Sequence, residues 1–173
     1  DAYGYHHPYA SCLSADGKTF FRANHGIRLW YDRPEEYMIV SWDTASGKPQ
    51  KLIRNAGEID ALFYGGRDSL VAVCKDKTVR RWDAKSGRCI GKADIRCDIS
   101  TLQYADPEGA WLLGAHKNEV RMIDVDGGEC IRSISAYGEI CALNLSPDGG
   151  RILAVSGGEQ YRLEIWDVAT GER

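Results

Sequence analysis

The chain has 173 residues, 43% hydrophobic and 27% charged, with a formal net charge of −3. That is long enough to bury a core and ordinary for a globular protein, and the mild negative charge argues against a module that grips nucleic acid by neutralising phosphates. No apolar run approaches the ~20 residues of a membrane-spanning helix, and nineteen glycines against five prolines point to many tight turns.

Residues 1–7 are a polar-aromatic lead-in without a period. Pro8 to Ser14 reads as a strand, stopped by the turn Ser14-Ala15-Asp16-Gly17, and Thr19 to Ala23 reads as a second. The stretch Asn24 to Tyr37 is longer than its counterparts. Within it Ile27 to Asp32 looks like a strand and Arg33-Pro34-Glu35-Glu36 like a turn. Either the hairpin is extended here, or Ile27 to Tyr31 is itself the third strand; the extended hairpin agrees better with the junction Trp42-Asp43-Thr44-Ala45-Ser46-Gly47-Lys48 that follows. Lys48 to Ile53, Ile59 to Tyr64 and Ser69 to Cys74 are the next strands, the last an almost unbroken apolar run as expected for a strand covered on both faces. After Thr78 to Trp82, the same order returns through Ile99 to Tyr104, Ala110 to Gly114 and Glu119 to Asp124. It returns again through Ile140 to Leu145, Arg151 to Val155 and Tyr161 to Asp167.

One marker keeps the phase. A strand ending in a large apolar residue and an aspartate, followed by a turn, occurs at Trp42-Asp43, Trp82-Asp83, Ile123-Asp124 and Trp166-Asp167, at intervals of 40, 41 and 43 residues. An aspartate there caps the turn through its own backbone, and an indole is large enough to fill a gap between packed sheets. Four strands per ~40 residues without a helical period make an antiparallel repeat array, with repeats at approximately 8–53, 54–91, 92–133 and 134–173 of one domain spanning 1–173.

These junctions, with Thr78-Val79-Arg80-Arg81 and Ser146-Pro147-Asp148-Gly149, give the chain its resemblance to the WD40-repeat β-propellers over nearly its whole length. The resemblance implies an all-β fold of four blades, each of four antiparallel strands. With four repeats, it implies a half-ring or a fragment of a seven- or eight-bladed propeller. Trp42, Asp43, Asp76, Trp82, Asp83, Asp124, Trp166 and Asp167 then carry structural roles. The family's Gly-His before each innermost strand is missing: Ala56-Gly57-Glu58, Arg96-Cys97-Asp98 and Tyr137-Gly138-Glu139 hold no histidine, so weaker bracing is expected. Ile123 in place of a tryptophan implies aliphatic packing. An open array of four blades would expose apolar faces and associate.

The six cysteines form no C-x-x-C pair; Cys89 and Cys130 recur in one place and read as small buried residues, structural thiols of a reducing, intracellular and cytoplasmic setting. His6, His7, His25 and His116 sit in no catalytic or metal-binding pattern, and no glycine-rich phosphate loop is present. No cofactor, metal, membrane or nucleic-acid partner is expected, and no catalysis. Two candidate surfaces stand out. Glu58, Asp60, Asp98 and Glu139 open the innermost strands; with Arg96 and Tyr137 beside them, they would present a top face able to receive a protein partner through a basic peptide. Leu29, Trp30 and Tyr31 either anchor a partner or cover an edge of the first blade. The function expected is a non-catalytic interaction scaffold or sensor. The alternative is a structural array buried in a larger complex, in a homodimeric eight-bladed ring, or among further blades of the same polypeptide.

Overall fold

The computed structural model describes residues 10–24, 37–54, 56–66, 68–106 and 108–173, and every helix or strand among them is a strand. The first sheet holds β1 (Ser11–Leu13), β2 (Thr19–Asn24), β3 (Met38–Asp43) and β4 (Pro49–Arg54). The second holds β5 (Ile59–Gly65), β6 (Ser69–Cys74), β7 (Thr78–Asp83) and β8 (Cys89–Asp94). The third holds β9 (Thr101–Ala105), β10 (Trp111–His116), β11 (Glu119–Asp124) and β12 (Cys130–Ser135), and the fourth β13 (Ile140–Leu145), β14 (Arg151–Gly157) and β15 (Tyr161–Asp167). Within each sheet consecutive strands lie side by side. The first two sheets and the last two form separate compact units, residues 1–64 with 68–92 and residues 65–67 with 93–173. β2 pairs with β3 from Thr19–Asp43 to Asn24–Met38, so Met38–Asp43 is the third strand of its repeat. The insertion before it, with Leu29, Trp30 and Tyr31, lies outside the described residues.

The aspartate that ends each third strand holds the following turn. Asp43 accepts hydrogen bonds from the Ser46 backbone NH (2.7 Å) and hydroxyl (2.6 Å), Asp83 from the same two groups of Ser86 (both 2.6 Å), and Asp167 from those of Thr170 (2.8 and 3.1 Å). Asp124, followed by no hydroxyl residue, takes the Gly127 NH instead. The fifth residue of the turn must adopt positive φ, +65° at Gly47 and +73° at Gly87, which only glycine does without strain. Just ahead of two junctions, between Ser41 and Trp42 and between Met122 and Ile123, the register with the outer strand shifts by a bulge that bends it.

Alternation on the strands builds one core per unit. Phe21, Ile39 and Ile53 of the first sheet meet Leu62, Leu70 and Trp82 of the second; Leu113, Val120 and Met122 of the third meet Leu143, Ile152 and Trp166 of the fourth. Each such side chain contributes roughly 1.5–3 kcal/mol by leaving water. Trp82 and Trp166 thus fill the seam with the preceding sheet. Trp42 shares the motif but not the environment: it lies on the opposite face from Phe21 and Ile39, half-buried, its ring 5.9 Å from that of Phe20. Ile123 is fully buried. On β15, Tyr161, Leu163 and Ile165 alternate onto one face and are exposed, Leu163 at 66%.

One expectation is corrected. Cys89 and Cys130 are exposed, because β8 and β12 are outermost strands paired on one side only. All six cysteines carry free thiols, and only Cys74 is buried.

The turn hydrogen bonds, hydroxyl and backbone NH of Ser46, Ser86 and Thr170, hold the carboxyls of Asp43, Asp83 and Asp167 below their ordinary value of 3.8. A carboxyl depressed in the folded state stabilises fully above its unfolded pKa and loses that contribution as pH falls through the folded one. The melting temperature is therefore expected to hold level down to about pH 5 and to fall steeply below about pH 4. Replacing the three by asparagine should lower the neutral-pH melting temperature and flatten the acid limb; an unchanged acid limb would refute the assignment.

Candidate functional site

The segments leading into the innermost strands carry the carboxylates singled out by sequence, and each is held from behind by a side chain two places before the Trp-Asp or Ile-Asp junction. In the second sheet that side chain is Arg80. Its Nη1 donates to the Ala56 carbonyl (3.1 Å), its Nε to Thr78 Oγ1 (3.1 Å), and its Nη2 pairs with Asp76. Asp76 in turn accepts from the Thr78 hydroxyl at 2.6 Å. Gly57 is required between them: at φ +79° it lies where a Cβ would stand 2.7 Å from Arg80 Nη1. In the third sheet Arg121 repeats the arrangement, donating to the Asp98 carbonyl (2.6 Å) and through Nε and Nη2 to Glu119. The fourth sheet inverts the polarity. Glu164, its side chain 3% exposed, accepts from the Tyr137 backbone NH (2.9 Å) and the Ser156 hydroxyl and pairs with Arg173. The missing histidines therefore leave no gap in these three sheets.

In front of these braces lie the candidate contact groups. Glu58 pairs with Lys75 and accepts from the Tyr37 hydroxyl (3.3 Å), and the Glu58 carbonyl accepts the Lys75 NH (2.9 Å). Glu58, ahead of Asp60, holds the Lys75 ammonium above its ordinary pKa. Structure thus brings Glu58 and Asp60 around one lysine. Asp98 is exposed, and its carbonyl rather than its carboxylate is engaged. Arg96 turns away to Glu129, and its backbone NH bonds the Gly128 carbonyl (3.0 Å). Glu139 is exposed, its carbonyl bound to the Gly157 NH (2.9 Å). Tyr137, 54% exposed, lies under the Arg162 guanidinium, 3.4 Å from ring centroid to Cζ. Ser100 Oγ and His116 Nδ1 are 2.9 Å apart. Among the described residues no group of three or more His, Cys, Asp or Glu could hold a metal ion.

No protein-family model matches the chain. Among curated proteins it is 26% identical over 125 residues to a serine-threonine kinase receptor-associated protein of Gallus gallus, covering 72% of this chain and 35% of that protein. It is 25% identical over 116 residues to the pre-mRNA-splicing factor cwf17 of Schizosaccharomyces pombe, covering 65% and 34%. It is 30% identical over 95 residues to the eukaryotic translation initiation factor 3 subunit I of Emericella nidulans, covering 54% and 28%. These relatives are WD40-repeat proteins, and the four antiparallel sheets are what such repeats build. The chain is thus similar to WD40-repeat proteins in sequence pattern and in fold. The chain spans about a third of the length of the relatives named first. A chain of the Kuenenia stuttgartiensis hydrazine synthase superposes with a TM-score of 0.67 at 19% identity, over 99% of this chain and 51% of that one, a likeness of fold alone.

The repeat pattern also carries a signal beyond the junction motifs. Arg80, Arg121 and Glu164 occupy one place in three repeats, and that shared offset from the junction was the available signal. Lys75 and Tyr37 as partners of Glu58 had none, being 17 and 21 residues away.

If the brace satisfies otherwise buried backbone groups, its loss costs stability. Arg80→Ala and Glu164→Ala are each expected to lower the unfolding free energy by about 1–3 kcal/mol in urea titrations. Arg80→Lys should not rescue the first, since one ammonium cannot span three acceptors in a fork. Full stability of Arg80→Lys would refute the bracing role.

Proposed function

We propose that this WD40 array is a non-catalytic scaffold that docks a protein partner, through a basic segment, on the carboxylates leading into its innermost strands. Glu58, Asp60, Asp98 and Glu139 are the contact residues, flanked by Arg96 and Tyr137; Leu29, Trp30 and Tyr31 are a second anchor. The observation that carries the reading is the division of labour at Asp98 and Glu139: the backbone carbonyl is fixed by Arg121 or Gly157, while the carboxylate is exposed. A fixed backbone lowers the ordering cost of binding and leaves the charge for a partner. Lys75, seated on Glu58, supports the choice of a basic group, because the chain itself supplies an ammonium there. By name, one relative is a receptor-associated protein and another a subunit of a larger factor, which agrees with a scaffold role. Free thiols on six cysteines accord with an intracellular, cytoplasmic setting. Among the described residues, no helix is long and apolar enough to cross a membrane.

The test uses a fluorescein-labelled peptide of alternating arginine and glycine, read by anisotropy at low salt. Asp98→Lys and Glu139→Lys together should weaken binding by about tenfold or more without changing the unfolding midpoint, both side chains being exposed. Undiminished binding would overturn the reading.

The exposed Tyr161, Leu163 and Ile165 favour a second reading, a structural array covered by further blades or by a second copy. Light scattering of the chain is expected to report association that Leu163→Lys reduces; a monomer at every concentration would refute it.

A further inference from the structure

A cleft of about 380 Å³ opens within the first unit, at the hairpin-turn ends of its two sheets. Its floor is a single cross-strand row: Phe21 of β2 pairs with Ser41 of β3, and Ser41 with Lys51 of β4, so the three side chains lie on one face. Tyr64 and Asp68 of the second sheet make the facing wall. The Tyr64 ring stacks on Phe21 with centroids 5.9 Å apart, its hydroxyl donates to Asp68 Oδ1 (2.7 Å), and Asp68 is paired with Lys85. That wall is polar but internally satisfied.

The floor is not. Ser41 is 6% exposed, and its hydroxyl has no hydrogen-bond partner among the described residues. Nor does the Lys51 ammonium beside it have an ion-pair partner among them. The stem of Lys51 is held: a Cβ on Gly87 would stand 3.5 Å from its Cδ, so the bare backbone of that turn packs along it. The Ser41 hydroxyl faces the cleft and the lysine of the same row adds a positive charge, so the floor offers one donor and one cation to an incoming group. A carboxylate satisfies both. Asp16 and Asp68 line the same cleft and repel each negative charge that enters; Asp68 is offset by Lys85, and Lys51 can offset one incoming charge but not two, so a monoanion fits better than a dianion.

We propose that this cleft is a binding site for a carboxylate group, with Lys51 supplying the counter-charge, Ser41 the hydrogen bond, and Phe21 and Tyr64 the apolar surface for the carbon chain. The carboxylate belongs either to an acidic side chain of a peptide or to a free small acid. The site is independent of the basic-segment docking argued above, because none of its residues is shared with that surface.

Amide NMR spectra of the full chain, titrated with N-acetylglutamate N-methylamide and with butyrate, test this. Saturable shifts are expected at Phe21, Ser41 and Lys51. Tighter binding of the blocked glutamate identifies a peptide side chain, and tighter binding of butyrate a free acid. Lys51→Gln should weaken the preferred probe by about tenfold, as loss of a charged hydrogen-bond partner does. Ser41→Ala should weaken it too; should that buried substitution unfold the chain, Lys51→Gln at its half-buried position carries the test alone. Absence of saturable shifts at these amides, binding unchanged in Lys51→Gln, or equal binding of the uncharged N-acetylglutamine N-methylamide would overturn the proposal.

Discussion

The interaction on which the second, third and fourth repeats depend is the brace from third strand to incoming segment. A chain that leaves an outer strand and runs inward passes through residues with no ladder partner, so its backbone groups need satisfaction from elsewhere. Arg80 meets this with a planar fork that spans a carbonyl, a hydroxyl and a carboxylate at once. Arg121 does the same against the Asp98 carbonyl. Where the incoming segment offers an NH, at Tyr137, the brace becomes an acceptor, Glu164, and its buried charge is balanced by Arg173. Polarity of the side chain follows polarity of the orphan backbone group. The same logic explains why histidine is dispensable here: the requirement is a partner at that place, and a long side chain from the neighbouring strand reaches it.

Local and non-local causes divide cleanly in what could be read from the amino-acid sequence. Strands, turns and phase were legible because they are set within a few residues. The Asp83–Ser86 turn closes on itself, and the run Ser69–Cys74 is buried throughout, as its unbroken apolar pattern implied. Burial of a given motif position was not legible in the same way. Trp42 and Trp82 occupy the same place in their repeats, yet only Trp82 is fully packed, because the indole is covered by the preceding sheet rather than by its own. Cys89 and Cys130 mislead for a related reason. Their recurrence marks a common position, and that position is the start of an outermost strand, where one edge has no partner.

The candidate surfaces differ in legibility too. Carboxylates before each innermost strand stand out by place alone. The Ser41–Lys51 row does not, since a serine within a strand and a lysine on an outer strand are unremarkable until the ladder sets them side by side and Tyr64 opposes them. A small residue at Ser41 also leaves the space that makes a cleft.

Two lysines on the same unit show why charge count alone says little about binding. Lys75 is already neutralised by Glu58, so a partner's ammonium arriving there exchanges one ion pair for another and gains nothing in charge. A basic segment profits only where a carboxylate has no resident cation, as at Asp98 and Glu139, or where a guanidinium adds a second hydrogen bond that the lysine cannot make. On the proposed docking surface, a preference for arginine-rich over lysine-rich segments follows from that competition. Lys51, by contrast, has no ion-pair partner among the described residues, so a carboxylate entering the proposed cleft exchanges no existing ion pair at that lysine. The proposed docking surface is thus discriminating where a resident cation must be displaced, and the proposed cleft is receptive because its lysine has no such partner among the described residues.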